Sequence, residues 1–189
     1  MPKETELIKR IKQGDKAAFD AMIDDNIVNV RALALSLTRN PYDADDIAQE
    51  VFLKAYKGIS GFRNDCRIGT WLYRITINTF LNMRKRNDFY QAESNPGVGK
   101  DRLYLNDSPI SDCARSDINE KIENALCLLT PRERTVFVLR HYEDISIKEI
   151  AFMLAVSMNS VKTLLRRAAF KLKNCALAVN RSNNGRNKK

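Results

Sequence analysis

Helical periodicity is the feature that most constrains the fold of this chain, and it is interrupted once. Apolar residues recur every three or four positions up to about residue 88 and again from about residue 117. Between these stretches, residues 89–116 are rich in polar and turn-forming types and follow no period. With only 7 Gly and 5 Pro, the chain also lacks the frequent turns of a β-sandwich or barrel. The sequence therefore predicts an all-α protein of two small helical domains, 5–88 and 117–175, joined by a flexible linker at 89–116.

The last residues, 176–189, lose the apolar face beyond Val179 and end in Asn, Arg and Lys. A polar, positively charged chain end buries too little apolar surface to be held in place. We expect a basic tail that is disordered.

Charge is segregated along the chain. The 32 Lys and Arg residues against 23 Asp and Glu residues give a net charge of +9, which favours a polyanionic partner such as nucleic acid. Residues 63–86 contain six basic residues and the single acid Asp65, and residues 157–173 contain five basic residues and no acid. Residues 41–50 have a negative local charge instead, with four acids and no basic residue. This segregation argues against a nonspecific polycation.

Cysteine spacing and hydropathy exclude several other classes of protein. Cys66, Cys113, Cys127 and Cys175 form no C-x-x-C pair, so neither a zinc knuckle nor a thioredoxin-like site can be built locally. No apolar run approaches the roughly 20 residues that span a bilayer, and the charged N-terminus lacks the apolar segment of a signal peptide. We expect a cytoplasmic protein with no cofactor, no bound metal and no membrane insertion.

Residues 146–173 have the pattern of a helix-turn-helix. A short helix capped by Ser146 leads to a tight turn over Ala155 and Val156, and a second helix opens at its N-cap, Ser157. Ala155 stands where such turns usually have Gly, because the turn requires a positive φ. The alternative is an ordinary helical hairpin with a solvated basic face, and the absence of acids weighs against it. The outward positions of the second helix carry types that bind base edges and phosphates: Asn159, Ser160, Lys162, Thr163, Arg166 and Arg167.

An acidic helix follows the Asn40-Pro41 break, with its apolar stripe at Ile47, Val51, Ala55 and Ile59. Its acids could form a metal cluster, but no second acidic or histidine cluster completes the ligand set. Acids near a helix N-terminus are also favoured by the helix dipole alone. Neither a metal cluster nor the helix dipole accounts for the polar and aromatic residues that follow these acids. We expect those residues to be exposed. The helix carries Asp43, Asp45, Asp46, Gln49, Glu50, Phe52, Lys54 and Tyr56.

The segment 62–74 interleaves aromatic residues with arginines. This combination stacks unpaired bases and neutralises phosphates in proteins that bind single strands. An alternative for Trp71 and Leu72 is that they are core residues and do not contact DNA.

Together these stretches resemble the hallmark motifs of the extracytoplasmic-function sigma factors of bacterial RNA polymerase. The motifs are DADDIAQEVFLKAY at 43–56, Phe62-Arg63, TWLYRI at 70–75 with Asn78, SIKEIA at 146–151, and SxxSVKxxLxRA at 157–168. They occur in the order and spacing of that family and cover nearly the whole chain.

The resemblance implies a promoter-recognition subunit without catalysis of its own. The acidic helix would dock on the clamp helices of the largest catalytic subunit of core RNA polymerase, with the polymerase flap as a further contact and the linker running toward the RNA exit path. Promoter DNA and an anti-sigma factor are the other implied partners. The implied polymerase-binding residues are Asp43, Asp45, Asp46, Gln49, Glu50 and Phe52.

The resemblance also assigns the two DNA elements. The minus-ten element would be melted and read as single strand by Phe62, Arg63, Asn64, Arg67, Trp71, Tyr73, Arg74, Asn78, Asn82, Arg84 and Arg86. At Asn82, family members often carry Asp, which puts its share of this recognition in doubt. The minus-thirty-five element would be read as duplex by Ser157, Asn159, Ser160, Lys162, Thr163, Arg166 and Arg167.

Two alternatives from other classes stay open at the level of sequence. A dimeric helix-turn-helix regulator would bind duplex operators without polymerase, but it leaves residues 43–56 without a role. A metal-dependent nucleic-acid enzyme would use Asp43, Asp46 and Glu50, but the single histidine, His141, lies in the other domain.

Overall fold

The computed structural model describes residues 2–94, 126 and 128–186, and the elements it describes are all helices. The chain separates into two compact units, Met1–Asn87 and Asp88–Lys189. The first unit contains helices α1 (Pro2–Lys12), α2 (Lys16–Thr38) and α3 (Pro41–Gly58), a 3₁₀ turn at Ile59–Gly61, and α4 (Ile68–Ser94), which continues past the unit boundary. The second contains α5 (Pro131–His141), α6 (Ile147–Leu154) and α7 (Met158–Arg186).

Local sequence signals fix where the helices of the first unit begin. Asp15 caps α2, since its carboxylate accepts a hydrogen bond from the Ala18 N–H at 3.1 Å. Asn40 caps α3 in the same way, with Pro41 in the first turn, where its missing N–H costs nothing. Arg39 between them takes a left-handed conformation, with φ of 60°. The predicted break at Asn40-Pro41 is therefore a sharp corner between two long helices.

The core of the first unit lies among α2, α3 and α4. The predicted stripe of α3 is buried as expected, from Ile47 to Ile59. Val28 is apolar but does not belong to the buried face of α2, because it is 73% exposed. The buried set of α2 keeps the helical spacing from Val30 instead, and position 28 lies on the opposite side of that helix. The fully buried side chains include Met22, Val30, Leu33, Leu37, Ile47, Val51, Leu72, Ile77 and Phe80.

The second unit is built on two capping boxes. The Thr130 and Ser146 side chains each accept a backbone N–H three residues on, while Glu133 and Glu149 bond back to the cap residues. The Ser146 cap was predicted from the sequence. Ala155 ends α6 with φ of 51°, the left-handed turn that the helix-turn-helix pattern required. The buried core residues here include Leu129, Val136, Leu139, Ile150, Val161 and Ala168.

Two helices run past their predicted ends. α4 continues to Ser94, so residues 89–94 are helical and do not belong to the predicted linker. α7 continues to Arg186, which corrects the expectation of a disordered tail over most of 176–189. Residues 176–184 contain no Gly or Pro. The run Ala176-Leu177-Ala178 has high helix propensity, so the helix continues through it. The rest of the predicted linker, 95–116, lies outside the described residues.

Candidate functional site

The exposed face of α3 carries acids together with apolar groups. Asp46 and Gln49 are exposed, and Asp43, Asp45 and Glu50 are half-buried. Positions 42, 46, 49, 50 and 53 fall on one side of the helix, opposite the core stripe, because they follow the spacing of three, four and seven residues. The predicted polymerase-binding residues other than Asp45 and Phe52 therefore share or border one surface.

Two of these acids are paired with basic residues. Arg31 on α2 binds both carboxylate oxygens of Asp45, with its Nη2 3.3 Å from Oδ2, and this hydrogen bonding lowers the pKa of Asp45. Glu50 forms an ion pair with Lys54 one turn later, at 2.8 Å. Asp43 and Asp46 add negative charge on the same side of the helix as Glu50.

Phe52 is not part of the exposed surface, which corrects the prediction. Its side chain is only 7% exposed, because it borders the buried stripe at positions 48, 51 and 55. Leu53 beside it is 62% exposed. Sequence reasoning missed Leu53, although an apolar residue at i+7 from Asp46, on the polar face, was a readable signal. Tyr42 and Tyr56 are also exposed, and the Tyr56 ring meets Phe19 edge-on at 5.1 Å.

The loop between the 3₁₀ turn and α4 is anchored at both ends by buried side chains. Phe62 is 3% exposed and lies against Trp71, with ring centroids 5.0 Å apart, and Ile68 is also buried. Phe62 is therefore not available to stack on a base in this conformation, and its assignment to the minus-ten element stays a prediction. Between the anchors, Arg63, Asn64 and Arg67 are exposed. Asn64 has φ of 58°, a conformation that Asn tolerates better than most residues.

The remaining predicted minus-ten residues lie on two different faces of α4. Trp71, Arg74, Asn78, Asn82 and Arg86 follow one another at spacings of three and four, so they form a stripe along one side. Trp71 and Arg74 are half-buried, and the other three side chains are exposed. Tyr73 and Arg84 are half-buried on another side of the helix, beside the core, and the Arg84 guanidinium lies 5.8 Å from the Phe80 ring centroid. The structure does not bring these two residues to the stripe.

The first turns of α7 present polar and basic groups together with the exposed side chain of Met158. Ser157 caps the helix, because its Oγ accepts the Ser160 N–H at 3.1 Å. Val161 and Ala168 are fully buried, which points the opposite face to solvent. All of the predicted outward residues are exposed: Ser157, Asn159, Ser160, Lys162, Thr163, Arg166 and Arg167. The structure brings this whole predicted set together on one helix.

An ion pair between a partly exposed lysine and a buried glutamate joins α7 to the start of α5. Lys171 Nζ donates to Glu133 Oε2 at 2.7 Å, and the Glu133 side chain is only 5% exposed. Burial alone raises the pKa of Glu133, but the hydrogen bonds from Lys171 and from the Thr130 N–H outweigh it, and the net pKa is lowered. The orientation of α7 on its unit depends in part on this contact.

Within the described ranges, no three His, Cys, Asp or Glu side chains come together in a way that could hold a metal ion. The helices described there also include none that is both long enough and apolar enough to cross a membrane.

Comparison with known proteins agrees with the geometry of both units. Residues 22–90 match the family model Sigma-70 region 2, and residues 119–172 match Sigma-70, region 4. The chain is 30% identical over 168 residues to the ECF RNA polymerase sigma factor SigW of Bacillus subtilis, with 85% of this chain and 89% of that protein covered. This chain belongs to the extracytoplasmic-function sigma factors of RNA polymerase. It is also 31% identical to the ECF RNA polymerase sigma-E factor of Haemophilus influenzae, over 89% of this sigma factor and 92% of that one.

Solved structures show the same fold at lower identity. The sigma factor RpoE of Bartonella quintana, in complex with the anti-sigma factor NepR, aligns with a TM-score of 0.62 at 21% identity and covers 84% of this sigma factor and 96% of its own chain. CnrH, in complex with the cytosolic domain of CnrY, aligns with a TM-score of 0.63 at 22% identity over 93% and 97% of the two chains. The all-helical fold of this sigma factor is therefore that of known sigma factors.

Proposed function

We propose that the two units of this sigma factor divide promoter recognition, with the minus-ten element opened and read by the first unit and the minus-thirty-five element read as duplex by the second. The observation that carries the proposal is the contrast between two exposed helix faces. The outward face of α3 is acidic and apolar, whereas the outward face of α7 has no acid from Ser157 to Lys173. DNA repels the first surface and attracts the second.

The outward face of α3 is proposed to dock on core polymerase. Asp43, Asp46 and Glu50 supply negative charge, and Leu53 and Tyr42 supply apolar area between and beside them. A basic partner surface with an apolar centre complements this arrangement. The clamp helices of the largest catalytic subunit are the partner we propose, with the polymerase flap as a contact of the second unit.

The loop 62–67 and the adjoining stripe of α4 are proposed to hold the unpaired minus-ten strand. Flipping a base costs a few kcal/mol of lost stacking and pairing, so protein contacts to the unpaired form must offset it. Arg63, Asn64 and Arg67 are exposed hydrogen-bonding groups on the loop, and Asn78 and Asn82 extend them along α4. These residues can bind both base edges and phosphates of an extruded strand.

The first turns of α7 are proposed to enter the major groove of the minus-thirty-five duplex. Residues near the N-terminus of a recognition helix lie closest to the base edges. Asn159 and Lys162 occupy these positions, and Arg166 follows Lys162 by one turn. Arg166 can bind a guanine edge or a phosphate, which makes it the residue whose replacement is most informative.

We further propose that the bond-making chemistry belongs to the polymerase alone, and that this sigma factor acts in the cytoplasm, where polymerase and promoter DNA are found. An anti-sigma factor is the proposed regulator. The Bartonella quintana sigma factor of the same fold is bound to one in its solved structure.

Reconstitution tests the proposed function against the rival of a stand-alone duplex-binding regulator. The purified chain is mixed with core polymerase and a library of duplexes carrying two randomised blocks at promoter spacing, and run-off transcripts are sequenced. We expect selected templates with two conserved blocks and no transcription without the chain. Tight duplex binding by the chain alone, with no transcripts in the presence of polymerase, would instead support the rival.

A further inference from the structure

Helix α1 lies outside the part of the chain that matches the Sigma-70 region 2 model, which begins at residue 22. It packs against α2 and the 3₁₀ turn, and Ile8 and Ile11 are its buried side chains. Two of its charged side chains reach the loop 62–67, which we have proposed as the reader of the minus-ten strand. α1 therefore contacts a functional segment from which it is separated by about fifty residues of sequence.

The two contacts fall at opposite ends of the loop. Lys12 Nζ donates to the backbone carbonyl of Phe62 at 2.5 Å, where the loop begins. Glu4 Oε1 accepts the backbone N–H of Ile68 at 2.6 Å, where the loop ends and α4 starts. The Ile68 N–H is one of the helix-terminal donors that have no partner within the helix, and a carboxylate is favoured there by the helix dipole.

A groove of about 540 Å³ opens beside this end of the loop. Arg67 and Thr70 line it on one side, and Glu4 and Leu7 of α1 line it on another, with Asp25 and Asn26 of α2 completing the wall. α1 thus forms part of the surface next to the exposed loop side chains.

We propose that Glu4 and Lys12 are positioning residues that hold the loop 62–67 in the conformation that captures the unpaired minus-ten base. This inference rests on the proposed function of the loop. The two hydrogen bonds fix the backbone at both ends, and Asn64 between them has a left-handed conformation with φ of 58°. A loop that is already ordered loses less conformational entropy when it binds the strand.

The alternative is that α1 only covers the core and stabilises the unit. The two roles differ in what they predict for opened DNA. A purely stabilising helix affects the amount of folded protein, and so lowers binding to closed and premelted promoters alike. A positioning role lowers opening of a linear promoter and discrimination among minus-ten bases, while duplex binding by α7 is unchanged.

Holoenzymes with Glu4→Ala, Lys12→Met and the double replacement test this inference. Glu6→Ala and Lys9→Met, on exposed positions of the same helix, are matched controls. Each is measured on a selected promoter in linear form and with a premelted minus-ten bubble, by permanganate reactivity of thymines and by competition between bubbles of different sequence. For the double variant we expect about a tenfold loss of opening on the linear template, which corresponds to about 1.4 kcal/mol, and less than about a threefold loss on the bubble.

Conservative variants test whether promoter opening is restored when the hydrogen-bonding groups are kept. Lys12→Arg keeps a cationic donor and Glu4→Gln keeps an acceptor oxygen, so both are expected to recover most of the opening and the base discrimination. Wild-type behaviour of the double variant, or an equal loss on linear and premelted templates, would overturn the positioning role. A set of variants of the loop itself separates the two claims: if these open DNA normally, the loop is not the reader and both claims fail, whereas defective loop variants beside a normal double variant overturn only the role of α1.

Discussion

The two units present their proposed nucleic-acid faces in different ways. In the second unit, the face is a single helix surface whose side chains are all exposed, and one cap residue, Ser157, sets where it begins. In the first unit, the face combines a loop with one side of α4, and the loop is held by Phe62, Ile68 and the charged side chains of α1. A duplex offers a regular groove that a rigid helix can enter. An unpaired strand has no regular shape, so its reader must be shaped by tertiary contacts.

The loop provides the strongest test of this contrast. Replacing its three outward side chains, as Arg63→Ala, Asn64→Gly and Arg67→Ala together, should reduce opening of a linear promoter by about a few hundredfold, because the few kcal/mol spent on base flipping are no longer offset. Gly at position 64 keeps the positive φ and so removes the side chain without straining the backbone. Permanganate footprinting measures the effect. Unchanged thymine reactivity on the linear template would remove the loop from the melting step.

The acidic face of α3 differs from the outward face of α7 in its proposed partner, which is core polymerase and not DNA. Asp46→Arg with Glu50→Arg should weaken binding to core polymerase by about a hundredfold, since charge reversal places like charges against the proposed basic surface. Lys57→Glu, an exposed replacement on the same helix, is the control for fold and expression. Co-purification with polymerase at moderate salt gives the measurement. Retention of the double variant at wild-type levels means that α3 is not the dock.

Single replacements on α7 should have smaller effects that depend on the type of contact. Arg166→Ala is expected to cost about 1–3 kcal/mol of duplex binding at one base position if the guanidinium binds a base edge. If it binds a phosphate, binding falls about equally for all sequences and the salt dependence decreases. Holoenzyme titrations against a panel of minus-thirty-five duplexes separate these cases. Normal affinity for every duplex would contradict the assignment of this helix face.

The ion pair between Glu133 and Lys171 predicts that its contribution to the stability of the second unit depends on pH. The pKa of Glu133 is lowered in the folded protein, so its contribution is present at neutral pH and is lost as pH falls below its ordinary value of 4.5. Because the Lys171 side chain is 37% exposed, Lys171→Met should lower the free energy of unfolding by only about 1 kcal/mol at pH 7. Thermal melting at pH 7 and pH 4 should show the cost shrinking in acid, and Lys173→Met, an exposed replacement on the same helix, should show no such change. A cost that is independent of pH would exclude the ion pair as its source.

The same contrast explains how much the sequence could predict. Capping boxes and helical spacing are local, so the helix-turn-helix, its left-handed turn at Ala155 and the outward face of α7 were all predicted correctly. The errors in the first unit concern burial. Phe52 and Phe62 look like exposed aromatic residues in sequence, but Phe52 borders the buried stripe of α3 and Phe62 lies against Trp71, and both are buried.

Contacts between distant segments carried no sequence signal at all. The bond from Ile68 to Glu4 joins residues 64 positions apart, and no periodicity points to it. The helical ends beyond residue 88 and residue 175 were missed for a different reason. Polar composition predicts an end to each helix there, although no Gly or Pro interrupts either backbone at those positions.

A double dissociation tests the division of promoter recognition most directly. Wild-type holoenzyme, the triple loop variant and the Arg166→Ala variant are each titrated with a duplex minus-thirty-five fragment and with a single-stranded oligonucleotide of the non-template minus-ten sequence. We expect the loop variant to lose affinity for the single strand and to keep it for the duplex, and we expect Arg166→Ala to do the reverse. If either variant loses both affinities in equal measure, or if the two exchange roles, the proposed division between the units is contradicted.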